Sequence, residues 1–149
     1  MKNQKLKSAF TMIELVFIIV IIGILASVAI PRLAATRDDA EITKARVMVA
    51  SIRNALSMER QKRILRGDFA VITAVGGGSD VFGHFDNNTS QPTVLEYTMP
   101  TNTAKGHWSL ENGGADYKFN SGVAGNPIFV VSGGKFVCKT AGTCSSLLD

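Results

Sequence analysis

The residue that most constrains the chemistry of this chain is Glu14. It lies four positions beyond Phe10, the start of an apolar run, FTMIELVFIIVIIGILASVAI, that ends before Pro31. A carboxylate at the centre of a membrane helix costs about 2.5–3.5 kcal/mol, less near the helix end, and calls for a specific partner. A cut between Ala9 and Phe10 would supply one, because the new α-amine of Phe10 is a cation one helical turn before Glu14. Between two staggered helices, Glu14 of one copy would meet the Phe10 amine of its neighbour. That pairing would set an axial register and satisfy two buried charges together.

Other residues offer less chemistry. Cys138 and Cys144 enclose five residues and have no histidine beside them, too few ligands for a zinc site. In an oxidising compartment the spacing suits a small disulfide loop, contributing roughly 2–2.5 kcal/mol by loop entropy; the alternative is two unpaired thiols. His84 and His107 have no Cys or acid at ligand spacing and read as surface or hairpin residues. No serine sits in a nucleophile elbow. Gly76-Gly77-Gly78 is a flexible break rather than a phosphate loop, since no Gly-Lys-Ser/Thr follows. Asp38, Asp39 and Glu41 read as a solvated first turn of a helix. Asp86-Asn87-Asn88-Thr89-Ser90 holds two overlapping Asn-x-Ser/Thr matches, which makes Asn88 a candidate glycosylation site. No catalytic residue, metal-ligand set or cofactor is expected.

The elements that must position these residues divide the 149-residue chain unevenly. Hydrophobic residues make up 46% and charged residues 19%, but the apolar content is concentrated between Phe10 and Ile30. About 21 residues suffice to cross a hydrocarbon core of roughly 30 Å as a helix. Lys2, Lys5 and Lys7 precede the run with no acid among them, and this favours a cytoplasmic N-terminus and an exported remainder. Without those three lysines, 13 basic residues face 12 acidic ones, so the net charge of +4 does not mark a nucleic-acid-binding surface. A cleaved secretory signal with a site in Ala26 to Ala29, a plain signal anchor, and a buried helix of a soluble domain are the competing readings of the run. Apolar residues on every face argue against the last, and Glu14 argues against all three.

Beyond Pro31 a helix is expected over residues 32–66, stopped by Gly67. Ile42, Ala45, Val49, Ile52 and Leu56 recur at steps of three and four and form one apolar stripe. Charges including Arg46, Arg53, Glu59, Arg60 and Lys62 are expected on other faces. Gly23 and Pro31 are expected points of bending or unwinding. Residues 67–106 read mostly as loop, with Phe69 to Val75 either strand or helix and Thr93 to Tyr97 a short strand. Two hairpins follow: His107–Leu110 with Asp116–Asn120 around Asn112-Gly113-Gly114, and Pro127–Ser132 with Lys135–Lys139 around Gly133-Gly134. Trp108, Leu110, Tyr117 and Phe119 alternate with polar residues and should face the helix stripe. One long helix over a small antiparallel sheet is an α+β arrangement.

The segment Ser8-Ala9-Phe10-Thr11-Met12-Ile13-Glu14-Leu15 resembles the prepilin peptidase recognition site of type IV pilins and type II secretion pseudopilins, whose usual pattern is Gly followed by Phe-Thr-Leu-Ile-Glu. The resemblance covers about 30 residues and includes Pro31, a frequent proline in that family. It implies a pilin-like fold with a cleaved basic leader over residues 1–9, a transmembrane and assembly helix over 10–31, an amphipathic helix over 32–66 and a periplasmic β-rich part over 67–149. It also implies cleavage between Ala9 and Phe10, N-methylation of Phe10, and assembly roles for Glu14 and Pro31. Ala9 departs from the usual Gly, though both are small.

The implied protein is a non-enzymatic subunit of a pseudopilus, for type II secretion or related DNA uptake. It would be anchored in a bacterial inner membrane and then polymerised with itself or related subunits. The resemblance brings a prepilin peptidase, an inner-membrane platform protein and an assembly ATPase as partners. A type IV pilin for adhesion or motility is the alternative within the family. A signal-anchored periplasmic binding or enzymatic domain is the alternative outside it. Major pseudopilins usually carry calcium near the C-terminus, but after Thr101 only Glu111, Asp116 and Asp149 are acidic here, too few for a full oxygen cage.

Overall fold

In a computed structural model the described residues are 10–77, 79–97, 99–140 and 142–148. They form a helix α1 (Met12–Leu65), four strands β1 (His107–Glu111), β2 (Asp116–Asn120), β3 (Ile128–Ser132) and β4 (Lys135–Cys138), and a short helix α2 (Ser145–Leu148). The chain divides into two compact units, residues 1–37 and 38–149. The fold is α+β, as the alternation and stripe in the sequence imply, and pilin-like, as the family resemblance implies.

In the first unit the stretch from Met12 onward is helical, and its large apolar side chains are exposed, among them Ile13, Phe17, Ile22, Leu25 and Ile30. Helical structure continues through Gly23 and Pro31, so the unwinding expected there is absent. Pro31 still withholds the N–H that would otherwise bond the Ser27 carbonyl.

In the second unit the helix buries Ala45, Val49, Ile52 and Leu56, the expected stripe, with Ile42 partly buried at its margin. The stripe does not stop there. Glu59 is 3% exposed and Arg63 6% exposed, so the buried face continues at the same three-and-four spacing with charged residues. The expectation that Glu59 lies on another face is thereby corrected. The helix ends in a Schellman turn: Gly67 adopts φ +81°, its N–H donates to the Ile64 carbonyl at 3.0 Å, and Asp68 N–H donates to the Arg63 carbonyl at 2.9 Å.

The sheet has the order β1-β2-β3-β4, antiparallel throughout. Trp108 pairs with Phe119 and Leu110 with Tyr117, so their side chains share one face. Phe129 and Phe136 join them, and all pack in one core with the helix stripe. Gly113 in the first turn has φ 68° and Gly133 in the second φ 58°, conformations that explain a glycine at each.

The described residues between 68 and 106 contain no strand or α-helix, and Phe69 to Val75 is neither of the expected elements. The expected strand from Thr93 to Tyr97 reduces to a single bridge between Thr93 and His84. Even so, this segment contributes Ile72, Val75, Val81, Phe82, Phe85 and Val94 to the core. Phe82 stacks on Tyr117 with ring centroids 5.5 Å apart and meets Trp108 edge-on at 5.2 Å. Further along, the segment lies against the outer edge of β1: Asn102 N–H donates to the Trp108 carbonyl at 2.9 Å, and Leu110 N–H donates to Thr101 Oγ1 at 3.1 Å. At the opposite edge, Arg53 Nε donates to the Phe136 carbonyl of β4 at 3.1 Å.

Candidate functional site

The start of α1 is where sequence chemistry and geometry meet. Thr11 precedes the first helical residue, where four backbone N–H groups lack helical acceptors. Its Oγ1 accepts from Glu14 N–H at 3.3 Å, while Glu14 Oε2 accepts from Thr11 N–H at 2.8 Å and from Thr11 Oγ1 at 2.7 Å. This is a reciprocal capping box, and it also places a negative charge at the positive end of the helix dipole. The signal was spelled out as Thr-x-x-Glu before an apolar run, a meaning the membrane-charge reading of Glu14 overlooked. The claim that Glu14 requires a neighbouring chain is therefore narrowed. Within one chain its carboxylate already has hydrogen-bond donors, and among the described residues no cation pairs with it.

Phe10 is exposed beside this box and makes no hydrogen bond or ion pair to Glu14. Ala9, with the leader lysines Lys2, Lys5 and Lys7, lies outside the described residues. Beyond Glu14 the helix is long and apolar enough to cross a membrane, and none of its most apolar stretch is buried. Hydrocarbon or other helices can cover such a surface, because no polar residue on it needs water.

The second unit shows how the remaining candidate residues are used. Cys138 and Cys144 form a disulfide with Cα atoms 6.0 Å apart, and Cys144 and Leu147 are buried behind it. Arg46 Nη2 donates to the Ser146 carbonyl at 2.9 Å and ties α2 to α1. Of the acids weighed as calcium ligands, Asp116 is buried, accepts from Lys139 Nζ at 2.5 Å and accepts from Asn112 Nδ2. Glu111 accepts from Lys118 Nζ at 2.7 Å, and Asp149 lies outside the described residues. Asp38 takes Lys105 Nζ at 2.5 Å. Nδ1 of His84 is 2.8 Å from the Gln91 carbonyl, a loop contact. Asn88 is exposed in a turn, with its Oδ1 accepting from Ser90 N–H at 2.9 Å.

Sequence reasoning missed a charged clamp at the end of α1. Arg63 Nε donates to Glu59 Oε1 at 3.1 Å and Nη1 donates to Asp86 Oδ2 at 2.7 Å, while the other Asp86 oxygen accepts from Thr73 N–H at 2.7 Å. Burial alone would raise the Asp86 pKa, but the Thr73 N–H and the Arg63 guanidinium outweigh it and hold the carboxyl below its ordinary value. For Arg63, burial works against the charged form, and Asp86 and Glu59 more than restore it. The clamp anchors the irregular segment to the helix through side chains. The detectable signal was the continued spacing of Leu56, Glu59 and Arg63.

Comparison with known proteins gives one consistent set of relatives. Over 58 residues the chain is 36% identical to the type II secretion system core protein G of Vibrio cholerae serotype O1, a match taking in 39% of this chain and 40% of that protein. The core protein G of Aeromonas hydrophila is 38% identical over 56 residues, covering 38% of this chain and 39% of the relative. That of Pseudomonas aeruginosa is 36% identical over 56 residues, with the same coverage. The matched region thus spans about 40% of the length of these curated relatives. No protein-family model and no solved structure matches the chain.

Proposed function

We propose, from the premise that this chain is type II secretion pseudopilin-like, that it is a structural subunit of a pseudopilus. In this reading a peptidase removes the basic leader between Ala9 and Phe10 and the new amine is methylated. The subunit waits in the inner membrane with its N-terminus cytoplasmic and residues 38–149 in the periplasm. It is then drawn out of the bilayer and added to a helical fibre of like subunits. An inner-membrane platform protein and an assembly ATPase would act on it, since the role of this chain is mechanical.

The observation that carries the proposal is the apolar stretch of α1, none of it buried, opened by the Thr11–Glu14 box. An unburied surface of this kind is stable only in lipid or against other copies, and the proposed life cycle uses both in turn. The capping box gives Glu14 a stable place before assembly. The Phe10 amine of an adjacent subunit supplies the missing counter-charge afterwards, which makes the pair a register mark. Pro31 keeps one carbonyl of the helix unbonded, a point of give during extraction.

The test separates cap from charge. Glu14→Gln keeps a side-chain carbonyl that can accept from Thr11 but carries no charge; Glu14→Ala removes both. We expect both variants to insert in the membrane with Phe10 as the mature, methylated N-terminus by mass spectrometry, and neither to enter fibres. Normal fibre incorporation of Glu14→Gln would show that the cap alone matters and would remove the register pairing. A mature chain that retains its lysine-bearing leader while assembling would overturn the processing step.

A further inference from the structure

A cleft of about 480 Å³ opens between α1 and the β3–β4 hairpin. Its floor is apolar, made by Leu56, Phe136 and Val137, and three cations line it: Arg53, Arg60 and Lys135. Among the described residues none of the three is in an ion pair. Arg53 is committed only to the Phe136 carbonyl. Arg60 Nη1 is buried without a hydrogen-bond partner, an unusual state for a charged donor. Three unneutralised cations over a greasy floor specify a ligand that carries a carboxylate beside an apolar or aromatic body.

The same unit displays such a group. Tyr97 is 80% exposed, and Glu96 beside it is exposed and has no ion-pair partner among the described residues. Other exposed acids fit less well: Asp68 is engaged with Ala70 N–H, and Asp39 has no apolar neighbour of comparable reach. Within one chain Glu96 forms no ion pair with Arg53, Arg60 or Lys135 among the described residues, so the charge that would fill the cleft comes from a second copy.

We propose that Glu96 and Tyr97 of one copy of this chain dock into the Arg53–Arg60–Lys135 cleft of the next. A contact between two different surfaces of identical subunits is heterologous and repeats from copy to copy, as an open helical filament requires. The proposal rests on the pseudopilus reading and adds to it a second lock, outside the membrane helix. Glu96 neutralises the arginines, the Tyr97 ring covers the part-exposed Val137, and an arginine stacks on the ring.

The test is site-specific photo-crosslinking in the full-length, membrane-assembled chain. A photoreactive phenylalanine analogue replaces Tyr97 in one preparation and Phe17, in the apolar helix, in another. The expected result is a ladder of oligomers from both, with the position-97 adducts mapping to residues 53–61 or 133–137. Arg60→Glu should reduce the position-97 ladder roughly fivefold, and adding Glu96→Arg should restore it. A ladder from position 17 with no adduct from 97, or with 97 adducts on lipid, another protein or another face of the domain, overturns the docking and leaves the fibre intact. No ladder from either position overturns both.

Discussion

Asp86→Asn is the substitution that most directly weighs the clamp at the end of α1. Asn tolerates the left-handed backbone that Asp86 adopts at φ 56°, so the change removes charge without adding strain. Asp86 accepts two hydrogen bonds at 2.7 Å, one from Arg63 Nη1 and one from Thr73 N–H. A bond to a charged acceptor is worth about 1.5–3 kcal/mol and a neutral one about 0.5–1.5. The Asp86 side chain is 26% exposed, which weakens the pair, while the Arg63 side chain is only 8% exposed and keeps Glu59 as counter-ion. Together these place the loss near 1.5 kcal/mol.

Trp108 is the single tryptophan and is 3% exposed, so its fluorescence reports unfolding of this unit. In urea the midpoint of the detergent-solubilised chain should fall by about 1 M with an unchanged slope. The pH dependence follows from the sign of the shift. Because Asp86 titrates below its ordinary 3.8 when folded, its contribution is complete above that value and fades as pH falls through the depressed one. Wild type and variant should therefore differ by a constant amount above about pH 5 and converge in acid. A midpoint shift below roughly 0.3 M, or a difference that persists unchanged at about pH 2, would refute the clamp.

Two more outcomes follow from the core. Replacing Cys138 and Cys144 together by Ala should cost about 2 kcal/mol, read as a lower urea midpoint matched by reductant treatment of the wild type. An unchanged midpoint would mean the loop adds nothing. Tyr117→Phe removes the acceptor of the Val75 N–H, now bonded at 2.9 Å, and should cost about 1 kcal/mol. Burial raises the Tyr117 pKa despite that hydrogen bond, so wild-type stability should fall as pH rises past 10.0 and the variant should lose that component.

The parts of the fold governed by repetition were legible in the sequence. Trp108, Leu110, Tyr117 and Phe119 alternate, and glycines stand where the turns need positive φ, so both hairpins could be placed to within a residue or so. The helix stripe was legible as far as Leu56, where hydrophobicity and spacing agree. They part at Glu59 and Arg63, whose spacing is right and whose chemistry points outward until Asp86 arrives from a distant segment. Residues 68–106 carried no period to read, because Phe82 and Val94 reach the core from irregular backbone fixed by contacts such as His84 N–H to the Gly76 carbonyl. At the candidate site, the Thr11–Glu14 box was local and readable, while a partner chain's contribution is written in no single subunit.

The two flanks of the sheet bear on how many copies can crowd together safely. An open strand flank invites backbone pairing with any other chain, and a dense array of identical sheets multiplies that hazard. Here one flank is covered by the chain's own segment at Thr101 and Asn102. The other ends in a four-residue strand that begins with a lysine and has a backbone carbonyl occupied by Arg53. Two copies brought side by side would therefore meet through side chains instead of fusing into a continuous β-ribbon. A chain protected in this way can be held at high local concentration without its sheets joining edge to edge.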